Sequence, residues 1–486
     1  MNYSMIRYIM AVMMETEAAL MVFPLLVSRI YGDGMHAGFL IPIAILLLLG
    51  TAGIVKKPKN TVIYAREGFI IVSLAWIVLS LIGALPFTIT KNLSYVDAVF
   101  EIVSGFTTTG SSILRDVEAL PKSLLFWRSF THWVGGMGVL VFIMAIVPLA
   151  GGRSMHLMRA ESPGPSVGKM TSRVKSTAKV LYIIYFAISV LECVLLLAGG
   201  MPLFDALVNT FGSVGTGGFG IYADSIAHYD SLYFEMVIAV FMLLCGISFN
   251  IFFLMITNQV KTALKSEELH WYLGIIGAAT VIIALNIMNT CSGFGNALRY
   301  SFFQVSSVIT TTGFATADFN LWPELSKTIL VLLMFFGACA GSTGGGLKIS
   351  RLIILLKSAR RDAKRALHPN ATQLIYFEGH PIDESTVSGV GAYFTLYCIL
   401  QAASVLLISI DSFDFTSTVT AVIACFNNIG PGLGVVGPAG GFADFSVFSK
   451  IVLTFDMLIG RLEIYPMLFL FAPGAWRISR HVKKKI

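Results

Sequence analysis

Charge is what this sequence has least of. Only 13% of its 486 residues are Asp, Glu, Lys or Arg, against 56% hydrophobic, and the mean hydropathy is +0.79. A soluble chain of this length needs a far more charged surface, so a soluble globular fold is excluded. Cysteine is sparse as well. Cys193, Cys245, Cys291, Cys339, Cys398 and Cys425 form no CxxC pair, which removes a disulfide framework or a cysteine metal site and leaves small buried hydrophobes. The eight histidines (His36, His132, His156, His228, His270, His368, His380, His481) are dispersed. A membrane enzyme such as a lipid-linked transferase needs clustered histidines, acids or metal ligands near one membrane face, and no such cluster is present.

The charge that is there comes in blocks between apolar runs of roughly 20 residues, the length that crosses a bilayer. The chain therefore reads as an all-α polytopic membrane protein. Its first run lacks a small-residue cleavage site and reads as a membrane helix rather than a leader. Residues 56–66 carry Lys56, Lys57, Lys59 and Arg66 and no acid; 153–179 and 351–365 each carry six basic residues against one acid; 477–485 carries five and none. Residues 201–235 have no Lys or Arg but hold Asp205, Asp224, Asp230 and Glu235. The positive-inside rule puts the basic blocks, and both termini, in the cytoplasm. The blocks mean topology, not nucleic-acid binding. Ten spans fit: 8–29, 37–55, 68–90, 124–149, 178–200, 231–257, 271–290, 325–357 (interrupted), 386–410 and 445–473.

The last eight spans fall into four pairs. Inside each pair a shorter apolar segment ends in "TTTG" (Thr107, Thr108, Thr109, Gly110), "VGTG" (Val214, Gly215, Thr216, Gly217), "TTTG" (Thr310, Thr311, Thr312, Gly313) or "IGPG" (Ile429, Gly430, Pro431, Gly432). Asp97, Asp205, Asn296 and Asp414 stand 12 to 18 residues ahead of the final glycines and are expected N-caps of short descending helices. A second glycine recurs in the helix that follows each loop: Gly136, Gly246, Gly341 and Gly460. Threonine and glycine are common in membrane helices, which explains one copy but not four at matched spacing. The division that follows is two leading helices in 1–60 and pore repeats in 61–152, 153–262, 263–366 and 367–486.

Loop backbone at membrane depth is tolerated where it is packed in protein or lines water. Glycine lets successive carbonyls turn toward a common axis, and the carbonyl end of a helix favours a cation. Four such loops around one axis would form a ring of oxygens able to replace a cation's hydration shell.

The stretch "CAGSTGGGLKIS" (339–350) resembles a phosphate-binding loop only superficially. Gly346 is followed by Leu347, Lys348 by Ile349, and no strand precedes, so GxxxxGK[ST] after a strand is not met. Three consecutive glycines, Gly344, Gly345 and Gly346, each cost about 1 kcal/mol inside a helix. The helix therefore opens here, beside a cavity. Arg461 follows Gly460 at mid-helix, where a cation costs on the order of 2.5–3.5 kcal/mol and must face a cavity or a partner. Glu463 and the carbonyls of the opened loop are candidate partners. Lys348 either reaches the cytoplasmic interface or acts on the loop. Glu101 and Glu161 read as cap or packing partners. Asp205, Asp224, Asp230, Asp318 and Asp444 face outward, as solvated loop charge or as a means of concentrating cations.

With these features in place the chain resembles the superfamily of potassium transporters that holds the bacterial Trk and Ktr pore subunits and the plant HKT proteins. Within it the Trk-type pore subunits, the TrkH family, are most similar. The stretches that carry the resemblance are "REGFIIVSLAWIVLSLIGALPF" (66–87), "HWVGGMGVLVFIMAIVP" (132–148), "RAESPGP" (159–165), "ITTTGF" (309–314), "GSTGGGLK" (341–348), "NNIGPGLG" (427–434) and "IGRLE" (459–463). They touch all four repeats, and the two spans before residue 60 fit the Trk type rather than the Ktr type.

The resemblance implies a single-chain pore with four pseudo-symmetric helix–loop–helix repeats. Its filter would be the carbonyls of the four quoted loops, with potassium as substrate. Gly110 holds the position where sodium-preferring HKT relatives carry serine. Gly341, Ser342, Thr343, Gly344, Gly345, Gly346 and Lys348 would form an intramembrane gate below the filter, with Arg461 as a positive barrier there. It also implies a homodimer in the inner membrane among lipids, controlled by a cytosolic nucleotide-binding ring of TrkA type on the basic segments 153–179 and 351–365. No cofactor is expected on this chain. Channel-like passage and proton symport both fit such a pore, and a sodium-permeable or sodium-coupled transporter of Ktr or HKT type is the alternative.

Overall fold

The computed structural model describes residues 1–60, 63–136, 138, 174–368 and 373–476. Glu161, His156, His481, most of the basic segment 153–179, the second half of the expected span 124–149 and the basic tail lie outside the described residues. The secondary structure of the described residues is helical apart from one hairpin, β1 (Tyr376–Phe377) and β2 (His380–Pro381), and one isolated bridge between Phe336 and Leu347, with loops between the helices. In chain order the helices are α1 (Tyr3–Tyr31), α2 (His36–Ile54), α3 (Ala65–Gly83), α4 (Leu85–Ile89), α5 (Tyr95–Phe106) and α6 (Lys122–Gly136). Next come α7 (Val174–Ala198), α8 (Leu203–Val214), α9 (Leu232–Gly246), α10 (Phe249–Ile256), α11 (Val260–Leu264) and α12 (Glu267–Ile287). The last are α13 (Phe294–Ile309), α14 (Glu324–Phe335), α15 (Ile349–Leu367), α16 (Glu384–Ile408), α17 (Phe415–Phe426), α18 (Val447–Leu462) and α19 (Tyr465–Phe471).

Among the described residues six helices are long and apolar enough to cross a membrane, including α1, α2, α7, α12 and α16. The chain is a multi-pass membrane protein. α1 is capped by the Asn2 side chain and stopped by Gly32 at φ +64°, a left-handed position that glycine takes at no steric cost. It lies along α2, and both pack on the first quarter of the bundle through Met13, Met21, Phe39 and Trp76.

The sequence suggested one interrupted span, and among the described residues there are three. Span 231–257 breaks after Gly246, where α9 and α10 meet at 90°. Span 445–473 breaks at Glu463 and Ile464, both at φ +59°. A left-handed β-branched residue such as Ile464 is strained, and its side chain is fully buried. Each break has a partner that composition alone does not reveal. The carbonyls of Cys245 and Gly246 are taken by the Thr343 and Cys339 N–H groups of the opened loop (3.3 and 3.0 Å), and Glu463 forms an ion pair with Arg351.

The four short helices α5, α8, α13 and α17 are present. Of the four expected caps only Asp414 is one, accepting from Ser417 N–H at 3.0 Å. The others lie in the first turn, behind caps Ser94, Pro202 and Gly293. An acid in the first turn, as at Asp97 and Asp205, serves the helix dipole as well as a cap does, so residue type did not separate the two positions in those two helices.

Candidate ion pathway

Each short helix ends in the same three hydrogen bonds. Thr107, Thr108 and Thr109 N–H donate to the carbonyls of Val103, Gly105 and Ser104. Gly215, Thr216 and Gly217 repeat this on Phe211, Ser213 and Gly212; Thr310, Thr311 and Thr312 on Ser306, Val308 and Ser307; Asn427, Asn428 and Ile429 on Ile423, Cys425 and Ala424. The second residue of each loop is left-handed without being glycine: Thr108, Thr216, Thr311 and Asn428 have φ of 54 to 57°. Each such residue costs about 1–2 kcal/mol, held by the surrounding packing. The fourth residue is a glycine at positive φ: Gly110 (+81°), Gly218 (+75°), Gly313 (+88°) and Gly430 (+100°).

The register therefore differs from the sequence reading in two loops. Loop two is Gly215–Gly218, and Val214 is the last residue of α8. Loop four is Asn427–Gly430, and Pro431 and Gly432 lie beyond it, Gly432 with its N–H on the Val436 carbonyl. Tandem glycines in loop two and an asparagine pair in loop four hid the frame.

In this frame the loops close a ring. A Cβ on Gly110 would collide with the Gly217 carbonyl oxygen, one on Gly218 with that of Thr312, and one on Gly313 with that of Ile429. One on Gly430 would lie 2.9 Å from the Thr109 oxygen. The fourth glycine of every loop thus abuts the third carbonyl of the next, in the order one, two, three, four, one. Only glycine permits that approach together with positive φ. The loop threonines are fully buried and largely satisfied among themselves: Thr107 with Thr109 (2.7 Å), Thr310 with Thr312 (2.8 Å), and Asn428 Nδ2 onto Thr109 Oγ1 (2.9 Å).

The recurrent glycines of the inner helices let those helices approach the ring. A Cβ on Gly136 would lie 2.8 Å from Gly215, and one on Gly246 2.9 Å from Thr310. In the third repeat this place belongs to Gly345, 2.7 Å from the Asn427 carbonyl, rather than to Gly341, whose nearest neighbour is Ser248.

Beneath the ring lies the opened loop 336–348. Its neck is closed by Gly337 N–H on the Leu347 carbonyl (2.8 Å). Gly345 N–H donates to Thr311 Oγ1 (2.7 Å), joining the loop directly to the ring. Arg461 donates to Thr108 Oγ1 (3.1 Å), the Thr343 carbonyl (2.7 Å) and the Gly135 carbonyl (2.8 Å), so the guanidinium bridges ring, loop and α6. Glu463, a candidate partner of Arg461 in the sequence, carries the ion pair with Arg351. Lys348 is 5% exposed, and its ammonium folds back onto the carbonyls of Gly344 and Gly345. Of the two readings the sequence left open, the contacts are with the loop.

Buried supports stand beside the ring, of which the sequence singled out Glu101 as a cap or packing partner but not Arg128 or His132. Buried Glu101 pairs with buried Arg128 and accepts from Ile113 N–H (2.9 Å), while Arg128 donates to the Gly220 carbonyl (3.1 Å). This one pair fixes the chain leaving loops one and two. His132 Nδ1–H donates to the Gly105 carbonyl (2.8 Å), and its Nε2 accepts from Phe219 N–H (3.3 Å), a neutral-ring arrangement between the same loops. The outward acids do not converge. Asp444 pairs with Arg115, Asp230 faces Arg299, Asp224 faces His228, Asp205 accepts from Tyr229, and Asp318 caps Asn320 N–H.

These features define a class: a helical multi-pass membrane protein in which four short helices turn their carbonyl ends onto one axis above a broken inner helix. The sequence profile of TrkH, a cation transport protein, matches residues 35–477, and the chain belongs to that family. It is 36% identical to the Trk system potassium uptake protein TrkH of Salmonella typhimurium, over 98% of this chain and 100% of that protein. It is 33% identical to the Trk system potassium uptake protein TrkG of Escherichia coli, over 93% and 94% respectively. The crystal structure of the potassium transporter TrkH from Vibrio parahaemolyticus is similar at TM-score 0.88 and 33% identity, covering 98% of this chain and 100% of that one.

Proposed function

We propose that this chain carries potassium inward across the inner membrane through the ring of loop carbonyls. The observation that carries the reading is the closed ring itself, in which each fourth-position glycine abuts the third carbonyl of the following loop. Oxygens on short rigid loops can replace a cation's water shell, and the four helix C-termini behind them add partial negative charge. The names of the relatives in three organisms support potassium as the ion. All four ring positions are glycines, which favours potassium over the sodium-permeable alternative.

Residues 336–348 are the gate. The loop is held from above by Thr311 and from the side by Arg461, and it must move before an ion passes. The repeats divide the chain at about the boundaries 61–152, 153–262, 263–366 and 367–486, after two leading helices. The basic face of α15 suits an acidic cytosolic partner such as a nucleotide-binding regulatory ring, with the termini on the same side and a second copy alongside in the bilayer. The test is rubidium uptake into proteoliposomes holding the purified chain, with sodium as competitor. Uptake unaffected by excess sodium supports the assignment; equal sodium flux overturns it.

A further inference from the structure

Besides the ring, Arg461 and Lys348, a further buried side chain holds the opened loop. Glu268, in the first turn of α12, is 7% exposed. Its Oε1 accepts from the Ala340 N–H (2.8 Å) and from the Ser350 N–H (2.9 Å). These two donors flank the loop, one inside it and one in the first turn of α15. α15 has no side-chain cap of its own, because its N-cap is Lys348, whose ammonium is turned onto the loop. A carboxylate from another helix therefore takes the place of the missing cap, in the position the helix dipole favours. One oxygen holds the loop and the helix after it together.

The position of Glu268 is in turn set from the basic end of the protein. Glu378, at the tip of the β1–β2 hairpin, accepts through Oε1 from Ser266 Oγ (2.8 Å) and from the Glu268 N–H (3.0 Å). The hairpin turn has positive φ at both central residues, Glu378 (+50°) and Gly379 (+76°), as a two-residue primed turn requires. Asn, Asp or Gly normally fills the first of these sites. A glutamate held there, at a cost of about 1–2 kcal/mol, is a strained residue whose side chain has a task. The hairpin is also tied to α15, since Lys357 Nζ donates to the Tyr376 carbonyl (2.7 Å) and pairs with Glu267 (2.5 Å). Ile375 and Phe377 anchor it in the apolar cluster that holds Leu269, Tyr272, Ile353 and Ile354.

We infer that Glu268 is the latch that keeps the gate loop across the path, and that the hairpin positions this latch through Glu378, so that drawing the hairpin away releases the loop. The inference rests on reading 336–348 as the gate. It makes the hairpin the place where a cytosolic partner acts, and Glu268 a positioning residue that touches no ion.

The experiment is rubidium uptake by the full chain in proteoliposomes, comparing Glu268→Ala, Glu268→Gln and Glu378→Ala, each alone and with residues 342–346 deleted. Removing two hydrogen bonds to a buried charge predicts a rise on the order of tenfold for Glu268→Ala. Glu268→Gln keeps an acceptor oxygen for both N–H groups and rises less. Glu378→Ala, acting at a distance, gives a few-fold rise. In the deletion background all three add nothing, because the stretch that their hold on Ala340 and Ser350 keeps across the path is gone. A merely structural role would not produce that non-additivity. The same rise in the deleted protein, or no rise from Glu268→Ala in folded protein, overturns the latch. If Glu268→Ala does not fold, Glu378→Ala decides, and wild-type uptake there overturns the hairpin link. Failure of the deletion itself to raise uptake instead sinks the gate reading on which the latch depends.

Discussion

Replacing Gly218 with alanine tests the ring by the smallest change available. Gly218 is the fourth residue of loop two, at φ +75°, and a Cβ there would run into the Thr312 carbonyl oxygen and lie 2.9 Å from the Thr312 carbonyl carbon. Two costs follow. A left-handed alanine costs about 1–2 kcal/mol, and forcing a methyl into a close-packed site costs about 1–3 kcal/mol. The sum of about 2–5 kcal/mol, at about 1.4 kcal/mol per tenfold, leaves roughly one ring in 30 or fewer in native geometry. The carbonyl displaced is itself a ring oxygen, so discrimination should fall together with rate. Rubidium uptake with and without sodium, read beside the detergent melting midpoint, measures both. Gly277→Ala in α12 is the control, because a Cβ there meets nothing within 4 Å. It should be neutral or slightly stabilising. Unchanged uptake and unchanged rubidium preference in folded Gly218→Ala would refute the register and the ring with it.

Breaking the Glu101–Arg128 pair by Arg128→Ala should destabilise the protein by about 3–5 kcal/mol, because it leaves a buried carboxylate without its cation; the check is the melting midpoint, and a shift no larger than a surface mutant's would contradict it. Arg461→Ala removes hydrogen bonds to Thr108, Thr343 and Gly135 and should raise basal rubidium uptake in the chain alone, with a smaller rise once residues 342–346 are deleted. Asp414→Ala removes a helix cap and should cost about 1 kcal/mol at neutral pH. The Ser417 hydroxyl and N–H hold the Asp414 carboxyl below its ordinary value. The cap's contribution is therefore fully present above about pH 4 and is lost as pH falls through the lowered value. The melting difference between mutant and parent should shrink in acid and persist at pH 7.

The sequence made the class of fold legible because bilayer length and positive-inside charge act locally. The four loops were legible as well, since Thr-Gly endings recur and a recurrence needs no structure to be seen. Their frame was not. Thr108, Thr216, Thr311 and Asn428 are left-handed residues that no composition rule marks, and Gly217–Gly218 offered two candidates where only the second abuts a neighbouring carbonyl. Long-range partners were equally hidden. The breaks after Gly246 and at Ile464 lie in apolar runs that read as continuous, and they exist because Cys339, Thr343 and Arg351 supply what the interrupted backbone and Glu463 need. Lys348 was left open between two roles because its burial depends on loop carbonyls one turn back, which the open conformation of 344–346 turns toward it. Glu268, a charge in a first helical turn, and Arg128, a charge within α6, gave no further sequence signal, and their partners lie 72 and 27 residues away.

The most direct test of the central claim is anomalous diffraction from crystals of the purified chain grown in rubidium. The account predicts peaks on the axis ringed by the carbonyls of Thr109, Gly217, Thr312 and Ile429, and their loss when sodium replaces rubidium. Peaks confined to other parts of the molecule, or a ring equally occupied in either salt, would contradict it.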